Sequence, residues 1–77
     1  MSKLRFSPVV YIKEYLKELN VGSQWLSNKS GIPIDIVAKL LLDKIPINDD
    51  IARGLERATG ISDRTWVNLQ KKYDNKD

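Results

Sequence analysis

Seventy-seven residues make one small domain, 1–77, and a balance of 13 Lys and Arg against 10 Asp and Glu (net +3) permits phosphate contact without making the chain strongly basic. Neither cysteine nor histidine occurs, which excludes a disulfide staple, thiolate or imidazole metal ligands and the commonest general base, so no metal, cofactor or enzymatic activity is expected. The longest apolar run, 9–12, is too short for a bilayer and the N-terminus lacks a signal core, so a cytoplasmic protein with no membrane partner is expected.

In chain order, the periodicity predicts five helices and no strand. Ser7 is the expected N-cap of the first, with Pro8 at the first helical position, where its missing N–H costs nothing. Ile12, Leu16 and Leu19 fall on one stripe, with Tyr11 and Tyr15 beside it, and Asn20 is suited to the left-handed turn that ends a helix. A second helix starts near Gly22 or Ser23, burying Leu26 and half-burying Trp25, and Gly31 supplies the freedom that the following turn needs. Pro33 opens the third, whose inner stripe is Val37, Leu40 and Leu41, and Lys44-Ile45-Pro46 ends it. Asn48 caps a fourth helix, Asp49–Thr59, with Ile51, Ala52, Leu55 and Ala58 inside and Gly60 as its stop. Ser62 caps a fifth that runs to about Tyr73, with Trp66, Leu69 and Tyr73 on one face. The charged tail 74–77 should fray. No repeat or linker interrupts the pattern, so the expected fold is an all-α bundle of five helices.

Residues 22–42 carry the functional signal. Two short amphipathic segments, 22–30 and 33–42, joined around Gly31 have the length pattern of a helix-turn-helix. In such a unit the second helix enters the major groove and its exposed N-terminal residues face base edges. Those residues are Pro33, Ile34, Asp35, Ile36, Ala38 and Lys39. Base edges are read mainly by Arg, Lys, Asn, Gln, Ser and Thr, so this surface is unusually apolar and carries an acid. Ile34 and Ala38 are expected to face outward, with Ile36 at the edge; a rotated helix would instead turn Ile34 and Ile36 into the core. The exposed isoleucines could meet thymine methyl groups. Alternatively, Ile34, Ile36, Ala38 and Leu42 could form the centre of a protein interface, for a toxin or a repressor. Asp35 suits the positive end of the helix dipole and could also accept from a cytosine amino group. Lys39 and Lys44 could touch phosphates or remain solvated.

The chain resembles the lambda-repressor-like (Xre) helix-turn-helix family and, within it, the HigA-type antidote (antitoxin) proteins of plasmid-maintenance modules. Three stretches carry the resemblance: Ser7-Pro8, the run from Leu26 through Gly31-Ile32 to Leu40-Leu41, and Pro46-Ile47 followed by residues 58–62 and 66–74. The last of these contains the sharpest pattern, W-x-N-L-Q-x-x-Y-D, from Trp66 to Asp74. The resemblance implies a homodimeric transcription regulator that binds palindromic double-stranded operator DNA and represses its own operon. In relatives a Gln at the start of helix two contacts the operator; the matching position is Ser23, with Gln24 next to it. Relatives carry polar residues at the start of helix three, where this sequence has Pro33-Ile34-Asp35-Ile36. Relatives often have Asn-Gly after that helix, where Leu42-Asp43 stands here. Some relatives continue into a peptidase-like domain, and any catalysis of that kind would lie outside these residues.

The remaining features have plain explanations. Asp49-Asp50 could pass for paired carboxylates, but at a helix N-terminus they complement the dipole. Gly22, Gly31, Gly54 and Gly60 are scattered over separate elements and form no phosphate-cradling loop.

Overall fold

Five helices follow one another in the computed structural model, which describes residues 7–74: α1 Val9–Leu19, α2 Ser23–Ser30, α3 Ile34–Leu41, α4 Asp49–Thr59 and α5 Asp63–Asp74. No strand occurs among the described residues, and the expected all-α, five-helix architecture is borne out. The N-terminal stretch 1–6 and most of the charged tail, 75–77, lie outside the described residues.

The helix boundaries follow local chemistry. Ser7 Oγ accepts the Val9 N–H (3.3 Å) and Pro8 has helical dihedrals, as a cap and a first helical residue should. The regular ladder nevertheless starts one residue later than expected, because Val10 and Tyr11 close the first turn on Ser7 and Pro8 with i→i−3 bonds. Pro33 likewise precedes α3 rather than opening it, with extended dihedrals and its carbonyl accepting the Val37 N–H. Asn48 Oδ1 accepts the Ile51 N–H (2.8 Å), and Ser62 Oγ accepts the Arg64 N–H (3.1 Å), so both later caps form as read.

The end of α3 falls within a residue of the expected segment 33–42, but its cause lies ahead of the expected stop. The helix stops at Leu41, before the expected Lys44-Ile45-Pro46, because Asp43 turns left-handed (φ 61°). The Lys44 N–H then reaches Lys39 O (2.9 Å) and the Asp43 N–H reaches Leu40 O (3.0 Å). This is the paired-bond ending that a glycine usually supplies. Asn20 ends α1 in the same way, with Val21 bonded to Leu16 and Asn20 to Lys17.

The core takes residues from every helix: Ile12, Leu26, Val37, Leu40, Ala52, Leu55 and Trp66 are almost completely buried. Leu19 is a correction. It is 47% exposed, because the buried face of α1 centres on Val9, Ile12 and Leu16 and Leu19 falls at its edge, in the last turn. Leu41, Ala58, Leu69 and Tyr73 are half-buried at the rim.

Gly54 brings α4 close to the turn between α2 and α3. A Cβ there would stand 2.8 Å from Ile32 Cγ1 and Cδ1 and 3.1 Å from Ser30 O. Arg57, one turn on, donates from Nε and Nη2 to Ser30 O (3.2 and 2.9 Å) and so closes the C-terminal end of α2. Helix α4 thus supports the helix-turn-helix from behind.

Candidate nucleic-acid interface

The turn between α2 and α3 is held by side chains from its own sequence. Gly31 sits at φ 79°, its N–H bonded to Ser27 O. The fully buried Ser30 accepts the Ile32 N–H on Oγ (3.1 Å), and Ser27 Oγ donates to Ile32 O (2.6 Å). With these groups paired, α3 leaves the turn in one direction, and Val37 and Leu40 lock its inner face into the core.

The outward face of α3 is therefore determined by which residues remain. Ile34 (42% exposed), Ala38 and Leu42 (65%) form an apolar row at i, i+4 and i+8, with Asp35 and Lys39 alongside. Among the described residues the sole ion pair is Arg53–Asp50, so Asp35 and Lys39 are not paired with each other. Ile34 and Ala38 stand outward as the periodicity predicts. Ile36 sits at the edge, as expected. It is half-buried against the core and lines a groove of about 610 Å3 with Pro33, Ile45, Ile51 and Arg57.

The other expected contacts lie on flanking elements. Ser23 opens α2, half-buried, and Gln24 is exposed, with its Nε2 donating to Asn28 Oδ1 (3.2 Å). Trp25 is half-buried, as expected, with the Lys29 ammonium 6.0 Å from its ring centre. Lys44 is exposed just beyond α3. No group of three or more His, Cys, Asp or Glu among the described residues is placed to hold a metal. No helix among them is long and apolar enough to cross a membrane.

Ser7, Asp43, Ile47 and Gln70 frame this face through pairings that local sequence does not reveal. Asp43 Oδ1 accepts from Ser7 Oγ (2.9 Å), tying the exit of α3 to the start of α1. Gln70 Oε1 accepts the Ile47 N–H (2.9 Å), while its Nε2 donates to Asp74 Oδ1 (2.9 Å). The Gln and Asp of the terminal pattern, four residues apart on one helix, are within pairing distance by spacing alone. Nothing local points to Ile47 as the partner of Gln70, 23 residues away, or to Ser7 as the partner of Asp43, 36 residues away.

No protein-family model matches the chain, and no curated protein matches it. Solved structures do. One, assigned as an antidote protein of a plasmid maintenance system from Nostoc punctiforme, has a TM-score of 0.86 and 26% identity, over 94% of this chain and 79% of that one. Another, an addiction module antidote protein of the HigA family from Coxiella burnetii, has a TM-score of 0.86 and 27% identity, with the same coverage. The resemblance to HigA-type antidotes is thereby borne out over nearly the whole chain.

Proposed function

From a chain that shares the fold of HigA-type antidote proteins, we propose a DNA-binding regulator that represses its own operon in the cytoplasm, as a homodimer on a palindromic operator and beside a cognate toxin. One observation carries this reading: the helix in the recognition position presents a face that no other described residue covers, on a turn closed by its own side-chain hydrogen bonds. On that reading Ile34, Ala38 and Leu42 meet thymine methyl groups, and Asp35 accepts from a cytosine amino group. Ser23, Gln24, Lys39 and Lys44 reach the phosphates, while Pro33 and Ile36 border the contact.

Fluorescence anisotropy with the DNA flanking its own gene, at two salt concentrations, tests the proposal. Salt-dependent, sequence-selective binding is expected, with loss of at least tenfold in an Ile34→Asp/Leu42→Asp variant. Both positions are exposed, so that variant should fold; Ile36, packed against the core, is left intact. Absence of binding at low salt by folded wild type would sink the reading.

One observation favours a second reading. The apolar row Ile34, Ala38, Leu42, with Leu42 65% exposed, suits the centre of a protein interface with a toxin or repressor, each large side chain contributing roughly 1.5–3 kcal/mol when buried. Its signature is partner binding that is insensitive to salt and lost in the same variant.

A further inference from the structure

The terminal pattern that marks this chain ends in Gln70, Tyr73 and Asp74, none of which lies on α3. Gln70 and Asp74 nevertheless act on the segment that leaves it. Residues 43–47 are anchored at both ends, Asp43 by the Ser7 hydroxyl and Ile47 by the Gln70 carboxamide. The last turn of α5 lies against that segment, since Lys44, Ile45, Pro46, Gln70, Tyr73 and Asp74 line one shallow cleft. Lys44, the exposed cation of the segment, stands between the two anchors.

We propose that Gln70, oriented by Asp74, is a positioning residue for the phosphate contact of Lys44. The amide can do this because its two ends do different work. Oε1 accepts the Ile47 N–H while Nε2 donates to Asp74 Oδ1, which fixes the carboxamide in the orientation that presents its oxygen to the loop. A lysine on a free loop loses chain entropy whenever it meets a phosphate; one on a loop held at both ends has already lost it on folding. The end of α5 thereby sets DNA affinity without touching DNA. The proposal rests on the operator reading for its consequence and on Ile47 for its geometry.

A double-mutant cycle tests it, with anisotropy on the flanking DNA across a salt series. Gln70→Leu keeps the bulk and removes the acceptor; it should weaken binding several-fold at an unchanged salt slope, since Lys44 still meets its phosphate once the loop is ordered, whereas Lys44→Ala should lower the slope by about one. The Gln70→Leu/Lys44→Ala double variant should be no weaker than Lys44→Ala. Gln70→Glu/Asp74→Asn inverts donor and acceptor within the pair while keeping an acceptor for Ile47, and should restore wild-type affinity. Additive losses, or a Gln70→Leu affinity equal to that of wild type, would overturn the proposal. If folded wild type binds no flanking DNA, the operator reading fails by itself, and amide exchange decides the anchoring. Faster exchange at Ile47 in Gln70→Leu then supports the anchor, and unchanged exchange overturns it.

Discussion

At the residue scale, the least conspicuous side chains carry the tightest constraints. Gly54 sits mid-helix, where alanine would ordinarily favour the helix by about 1 kcal/mol. Here a Cβ would meet the Ile32 side chain and the Ser30 carbonyl at 2.8 and 3.1 Å. Ile32 is itself buried and Ser30 O is backbone, so neither yields freely. Gly54→Ala should therefore destabilise by a net ~1–3 kcal/mol, read as a lower urea midpoint at unchanged slope; a stabilised variant would refute the close approach. Asp43 is the opposite case, a residue with a Cβ at φ 61°. Asp43→Gly relieves the left-handed cost but loses the Ser7 bond, so it should be near neutral. Asp43→Ala keeps the cost and loses the bond, and should destabilise by about 1–2 kcal/mol. Equal midpoints for the two variants would contradict that account.

At the element scale, the helix-turn-helix is held by its neighbours as much as by its own sequence. Helix α4 supports it through Gly54 and through Arg57, whose guanidinium closes the end of α2 on Ser30 O. Arg57→Met preserves much of the stem and removes both donors. It should cost about 1–3 kcal/mol and speed amide exchange in the turn around Gly31 more than in α5. Uniform acceleration across the chain would mean that Arg57 stabilises the fold without a local role. The caps act more simply. Asn48→Ala removes the acceptor of the Ile51 N–H and should lower stability by about 1 kcal/mol, measured by thermal unfolding; an unchanged midpoint would rule the cap out as a contributor.

At the scale of the whole molecule, a chain this short has little stability in reserve, roughly 4–12 kcal/mol for a domain of its length. Trp66, 1% exposed, is the largest of the fully buried side chains. Trp66→Ala should remove about 3–5 kcal/mol and leave much of the protein unfolded at 37 °C by circular dichroism; a folded variant would show that α5 is not needed for the core. The five helices, their caps and the buried stripe of α4 were legible in the sequence, because helical periodicity and capping chemistry are local and repeat within a few residues. The outward placing of Ile34 and Ala38 was legible for the same reason, since Val37, Leu40 and Leu41 claim the inner face of α3. The exposure of Leu19 and the left-handed Asp43 that ends α3 were not. Each depends on which neighbour covers the position, and local periodicity carries no record of that. The same holds for the two anchors of residues 43–47. Ser7 with Asp43 and Gln70 with Ile47 are ordinary polar groups along the chain, and folding decides which become partners by bringing the start of α1 and the end of α5 to opposite ends of one short segment.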